Sequence, residues 1–178
     1  MTFSIVARSA DGESWGVAVA SKFLAVGSAV PAAVAQVGAI ATQADANVAF
    51  KGLALSHLDE GATASVALER LLEEDDGRDH RQVGIVDVDG GAATYTGPAC
   101  LDWAGGRSGE GYALQGNVLA GEEVLEAMEQ AFLRSDPGAP LGTRLLAALH
   151  AGDDNWVVWL WPLGSIAHVA VILVLVFA

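Results

Sequence analysis

Apolar residues in this chain change their spacing three times before residue 150, and that alternation limits the fold more than any single motif. Thr2–Ala7 and Ser14–Ser21 are short β-prone runs, joined by Ser9-Ala10-Asp11-Gly12-Glu13, a connection suited to a hairpin. Two further apolar runs, Phe23–Val30 and Ala33–Thr42, flank Pro31, and four strands so close together predict an antiparallel meander. The period then becomes helical over Val48–Leu58 and Ser65–Glu74, with Thr63 as N-cap of the second helix and Gly61 closing the first. Val83–Val88 and Ala92–Thr96 around Asp89-Gly90-Gly91 read as a second hairpin. The glycine-rich stretch 97–117 reads as loop with one short strand near Tyr112–Gln115, followed by helices over Gly121–Leu133 and Leu141–Leu149. Strands, helices, strands, helices predict an α+β fold with helices outside antiparallel sheets.

The end of the chain is different in kind. Of the 23 residues from Trp156 to Ala178, 19 are apolar and none is charged. We divide the chain into a domain over residues 1–152 and an apolar tail over residues 153–178. The Val-rich tail fits two buried strands around Pro162–Gly164, and this is the favoured reading. A membrane anchor over residues 156–178, with Trp156, Trp159 and Trp161 as an interfacial belt, is the second. An exposed strand of this composition invites pairing, so a homo-oligomer is expected.

Composition removes several functional classes. With 22 acidic against 9 basic residues the net charge is −13, and the scattered Lys and Arg form no patch for a phosphate backbone, so no nucleic-acid partner is expected. Cys100 is the sole cysteine, which forbids an internal disulfide. The first residues lack the basic and apolar regions of a secretory signal, and a cytoplasmic location is the default expectation. No phosphate-binding loop, dinucleotide fingerprint or nucleophile elbow is present. The four histidines (His57, His80, His150 and His168) stand apart, and Asp87-Val88-Asp89-Gly90 lacks the other ligands of a calcium loop. Neither a metal nor a cofactor is expected.

The residues with chemical potential lie at the ends of the expected strands. Thr2 follows the initiator methionine. With Met1 removed, its hydroxyl would be a nucleophile whose own α-amine takes the proton; the bland alternative is a threonine that merely begins a strand. Ser21-Lys22 closes the second strand. Lys22 could lower a neighbouring hydroxyl's pKa or steady an oxyanion, or be a solvated strand-end lysine. Gln43 and Asn47 belong to a polar strand-to-helix junction suited to ligand contacts, where Asn47 could equally cap the helix. Gln115 and Asn117 could donate side-chain amides to an oxyanion or read a polar ligand, or serve only turn chemistry. Trp103 either walls a pocket or plugs the core. Arg81-Gln82 reads as structural, and Cys100 as a small buried hydrophobe.

Taken together, Thr2-Phe3-Ser4-Ile5-Val6-Ala7-Arg8, Gly16-Val17-Ala18-Val19-Ala20-Ser21-Lys22-Phe23, Arg81-Gln82-Val83-Gly84-Ile85-Val86-Asp87, Thr96-Gly97, Cys100, Trp103-Ala104-Gly105 and Gln115-Gly116-Asn117 resemble, in order, a bacterial and archaeal domain-of-unknown-function family, number 1028. The resemblance covers residues 2–150 and implies a fold like the N-terminal-nucleophile (Ntn) hydrolases, an αββα four-layer sandwich. It supplies no substrate but supports Thr2 as nucleophile, and the expected activity is hydrolysis of an amide-type bond in a small-molecule or peptide-like substrate of unknown identity. Lys22 joins it as a catalytic residue, and Ser21, Gln43, Asn47, Trp103, Gln115 and Asn117 form the substrate site. Active relatives of that fold place an acidic residue where the second strand ends. Ser21 stands there instead, which leaves a non-catalytic binding or oligomeric scaffold as the alternative.

Overall fold

The computed structural model describes residues 1–157 and 170–177. Two antiparallel sheets form the centre. The first holds five strands in the order β7 (Gly105–Gly109), β8 (Tyr112–Asn117), β1 (Thr2–Arg8), β2 (Ser14–Ser21) and β9 (Ala170–Phe177). The second holds β3 (Pro31–Val34), β4 (Gly38–Ala44), β5 (Arg81–Asp87) and β6 (Ala92–Thr96). Helices α2 (Ala49–Asp59) and α3 (Ala64–Glu73) lie on the second sheet, while α4 (Glu123–Arg134) and α5 (Leu141–Val157) lie on the first. The chain is therefore α+β with antiparallel sheets, and each sheet has one face toward helices and one toward the other sheet.

Strand alternation sorts the side chains into these layers. On β1, Phe3, Ile5 and Ala7 pack under Val124, Leu125, Met128 and Phe132 of α4 and Leu145 of α5. Their neighbours Ser4 and Val6 face the second sheet. On β5, Val83 and Ile85 meet Phe50, Ala54 and Leu71 from α2 and α3, while Gln82, Gly84 and Val86 face inward. Between the sheets, Val6, Trp15, Val17, Val19, Ala39, Ala41, Val86 and Ala113 make an apolar layer of mostly small residues. Each fully buried aliphatic side chain in such a layer contributes about 1.5–3 kcal/mol relative to exposure.

The helix signals have direct counterparts. Thr63 accepts from the Val66 N–H and caps α3, and Gly61, at φ +90, ends the turn after α2. Asp87, at the end of β5, accepts from the N–H groups of Ala64, Asp89 and Gly91, tying the start of α3 to the β5–β6 hairpin.

Several expectations are corrected. The four-strand meander does not form: β1 and β2 pair in one sheet, β3 and β4 in the other. Phe23–Val30 is not a strand but a loop followed by the single turn α1 (Val26–Ala29). Its apolar residues Phe23 and Leu24 point to solvent, 62% and 89% exposed. Pro31 does not separate two strands; it begins β3, an edge strand, where a missing N–H is tolerated. The stretch 97–117 contains a second strand, β7, and the last helix runs on to Val157. The boundary set at residues 152/153 thus falls inside α5. The tail supplies β9, which pairs antiparallel with all of β2. The expected turn around Pro162–Gly164 lies outside the described residues. Among the described residues no helix is long and apolar enough to cross a membrane.

Candidate functional site

Three strands of the first sheet begin or end together at one rim. Thr2 opens β1 and is in register with Ser21 at the end of β2 and with Asn117 at the end of β8. Across the gap between the sheets, β4 ends at Gln43 and Ala44. These residues line a cleft of ≈ 590 Å³, and Lys22, Phe23, Val26, Asp45 and Val48 are among its walls. Such a volume suits a small ligand.

The hydroxyl geometry is specific. Ser21 Oγ donates to the Met1 carbonyl at 3.1 Å and accepts the Phe23 N–H at 3.0 Å. A hydroxyl has a single hydrogen, so in the 2.9 Å contact between Thr2 Oγ1 and Ser21 Oγ it is Thr2 that donates. Ser21 therefore occupies the position from which a group could accept the Thr2 proton. The Met1 α-amine also lines this cleft. Burial first, and then the charge of nearby Lys22, holds its pKa below the ordinary value.

Beneath the cleft runs a buried chain of side-chain amides linking the two sheets. Ser4 Oγ donates to Gln43 Oε1 at 2.7 Å, and Gln115 Nε2 donates to Ser4 Oγ at 2.6 Å. Gln43 Nε2 and Asn117 Nδ2 both donate to Gln82 Oε1, at 2.8 and 2.9 Å. Gln82 Nε2 in turn reaches the Gly116 carbonyl at 2.7 Å. Asn117 thus gives one of its two amide hydrogens to Gln82 and has the second for the cleft it lines. Gln115 fits because residue 84 is glycine, since a Cβ there would collide with the Gln115 side-chain amide. That oxygen is buried without a hydrogen-bond partner.

The backbone around the cleft is held in unusual conformations. Of the four non-glycine residues with positive φ among the described residues, Ala44 (64°) lines the cleft, Ala25 (56°) precedes α1, and Val118 (55°) follows Asn117. Left-handed geometry costs a non-glycine residue about 1–2 kcal/mol, and such strain clusters at functional sites. The Asp45 rim is fastened by Arg81, whose Nη1 lies 3.1 Å from Asp45 Oδ2 and whose Nε donates to Asp75 at 2.8 Å. That bond holds the Asp75 carboxyl below the usual carboxylate range.

Of the residues singled out from sequence, Thr2, Ser21, Lys22, Gln43 and Asn117 meet at this cleft. Asn47, Trp103 and Gln115 are not among its lining residues. Asn47 Oδ1 accepts the Ala49 N–H at the start of α2 and borders a separate small pocket. Trp103 packs against the core under α4 and α5, and Gln115 belongs to the buried amide chain. Gln82 and Ser4, the other members of that chain, carried no functional reading from sequence. Their signal was a polar side chain at a position whose strand parity faces the core. Burial raises the Cys100 thiol pKa, so it stays protonated, and its Sγ donates to the Arg81 carbonyl. Among the described residues no cluster of His, Cys, Asp and Glu is placed to hold a metal ion.

Comparison with known proteins gives matches of two kinds. A model for a family of unknown function, DUF1028, matches residues 2–155. The crystal structure of protein SPO2555 from Silicibacter pomeroyi, assigned to the same family, is similar at 30% sequence identity with a TM-score of 0.86. The match covers 99% of this chain and 76% of that one. No curated protein matches the sequence.

Proposed function

The chain belongs to the family of unknown function DUF1028, and for this member we propose hydrolysis of an amide-type bond by Thr2, exposed as the N-terminal residue when Met1 is removed. The observation that carries the reading is the placement of Thr2 at the head of a central strand, in a cleft, with its hydroxyl 2.9 Å from Ser21 Oγ. Two sheets between two helix pairs, with a strand-initial hydroxyl at their rim, support reading the fold as the Ntn-hydrolase type.

In this scheme the Thr2 amine takes the hydroxyl proton, directly or through Ser21, as Thr2 Oγ1 attacks the substrate carbonyl carbon. The free hydrogen of Asn117 Nδ2 meets the developing oxyanion. The C–N bond then breaks and the amine product leaves with the proton from the α-amine. Water hydrolyses the resulting ester, returning the Thr2 hydroxyl and releasing a carboxylic acid. The net reaction is amide plus water to acid plus amine. An α-amine has an ordinary pKa of about 7.7–8.0, so a useful fraction of the Thr2 amine is neutral near pH 7, and Lys22 lines the same cleft. Gln43, with its amide engaged in the buried chain, serves as floor.

The test is intact-mass measurement together with an N-terminal threonine-reactive probe on purified protein. Loss of Met1 and labelling that disappears in Thr2→Ala are expected. Met1 retained on protein that turns over an amide removes the reading. A second reading, a binding scaffold without catalysis, draws on Ser21 standing where active relatives of the fold carry an acid, and on its bond to the Met1 carbonyl. Abolition of amide turnover by Thr2→Ala would sink it.

A further inference from the structure

The second sheet ends at β6, whose outer edge pairs with no other described strand. The β5–β6 ladder fixes which groups that edge presents. The Asp87 N–H donates to the Gly91 carbonyl and the Gly97 N–H to the Arg81 carbonyl, each at 2.9 Å. In an antiparallel pair such bonded positions alternate, and the register sets Ile85 opposite Ala93 and Val83 opposite Tyr95. Residues 91, 93, 95 and 97 therefore turn their backbone groups toward β5, while Ala92 and Thr94 turn theirs outward. The strand, Ala-Ala-Thr-Tyr-Thr, has neither the proline nor the charge that guards many open edges.

Ala92 and Thr94 line an open groove of ≈ 850 Å³ together with α3 and Ser108 of β7, and it shares no lining residue with the Thr2 cleft. From α3 come Leu68 and Leu72, and also Glu69 and Glu73, both exposed and in no ion pair among the described residues. The other charged group in the lining, Arg78, donates to the Asp75 carbonyl at 3.4 Å, so carboxylates outnumber cations there by two to one. A row of outward backbone donors and acceptors beside a helix suits an extended chain: main-chain bonds hold it, and the wall reads alternate side chains. Side-chain direction follows from the sheet. Ala92 points between the sheets and Ala93 toward the helices. In an added antiparallel strand, residues bonded to Ala92 and Thr94 share the Ala92 direction, and the residues between them face α3. A second copy of the chain fits poorly, because continuing the sheet about a two-fold axis sets both copies of α3, with Glu69 and Glu73, on one face.

We propose that β6 accepts, as a fifth antiparallel strand of its sheet, an extended basic segment of another protein, with an apolar side chain against Leu68 and Leu72 and a Lys or Arg two residues away against Glu69 and Glu73. The test follows backbone amide NMR signals of the isotope-labelled full chain during titration with acetyl-Thr-Val-Thr-Lys-Thr-amide. The Ala92 and Thr94 amides should shift most, and saturably. N-methylating the central threonine of the peptide, whose N–H meets β6, should abolish binding. N-methylating its valine, whose N–H faces away from β6, should leave binding intact. Combining Glu69→Gln with Glu73→Gln, both at exposed positions, should weaken the peptide about fivefold and leave an analogue with norleucine in place of lysine unaffected. No saturable shift, shifts centred away from β6 and α3, equal loss from either N-methylation, or an affinity for the lysine peptide unchanged by the two glutamine substitutions overturns the proposal.

Discussion

Replacing Gln82 with glutamate should convert a pH-insensitive clamp between the sheets into a pH-sensitive one. Gln82 is fully buried. Its Oε1 accepts from Gln43 Nε2 and Asn117 Nδ2, and its Nε2 faces the Gly116 carbonyl at 2.7 Å, Thr96 Oγ1 at 2.9 Å and the Gly105 carbonyl at 3.1 Å. A protonated glutamic acid reproduces this pattern almost atom for atom: one oxygen accepts the two amides and the O–H donates to Gly116. The ionised form sets a negative oxygen against the Gly105 and Gly116 carbonyl oxygens at a position with no solvent exposure. Burial and acceptor contacts both oppose ionisation and raise the folded-state pKa, by about 3 units for comparably buried carboxyls. The unfolded chain ionises near pH 4.3. Stability relative to wild type should therefore be retained below pH 4.3 and decline as pH rises toward the folded-state pKa near 7. At about 1.36 kcal/mol per unit, the accumulated loss reaches about 4 kcal/mol at pH 8. Urea unfolding followed through tryptophan fluorescence, with Trp15 buried between the sheets, measures it at pH 4.5 and pH 8 for both proteins. A stability gap that stays constant with pH, or widens toward acid, would refute the reasoning that these contacts fix a neutral donor at residue 82.

Three other perturbations follow from the same geometry. Asp87→Ala removes the acceptor shared by Ala64, Asp89 and Gly91; a loss of about 3 kcal/mol in chemical denaturation is expected, from buried N–H groups left unpaired. Val118→Gly should raise the melting temperature, because relief of a left-handed β-branched residue, about 1–2 kcal/mol, outweighs a side chain already 38% exposed. Arg81→Met should lower stability at pH 7 by about 1 kcal/mol. Because Arg81 depresses the folded-state pKa of Asp75, that contribution exists above the unfolded value and fades as pH falls through the folded one. The gap to wild type should therefore narrow between pH 4 and pH 2.

What the sequence disclosed and what it concealed divide along physical lines. The β1–β2 hairpin, the Thr63 cap and the hairpin around Gly90 depend on local chemistry, and local chemistry is written in neighbouring residues. β7 has the sequence Gly-Gly-Arg-Ser-Gly, with no β-branched residue to announce a strand. It forms because close packing demands glycine there: a Cβ on Gly106 would stand 2.5 Å from Thr94 Oγ1. Arg107 then anchors the strand to Glu129 of α4 at 2.7 Å. Tyr112 reinforces the same corner, its phenol donating to Glu129, with burial pushing its pKa to about 12. Phe23–Val30 misled in the opposite way, because exposed apolar residues such as Phe23 and Leu24 look in sequence like residues that face a core. At the site, the strand-end residues Thr2, Ser21, Lys22 and Asn117 were legible from position. Gln82 was not, because its importance comes from partners 34 to 39 residues away.

The strand order also dictates a timetable for folding. β3 to β6, with α2 and α3, occupy the continuous stretch 31–96 and pair only with sequence neighbours or across one helical insertion. The other sheet has its middle strand at residues 2–8 and must recruit β8 from residues 112–117 and β9 from 170–177. Closing loops of that length carries an entropic penalty before any contact repays it. During synthesis the β1–β2 hairpin therefore waits without its flanking strands β8 and β9 while the middle of the chain builds its own sheet. The rim that carries Thr2 takes shape last, and slow-exchanging amides should appear in β4 and β5 before they appear in β1.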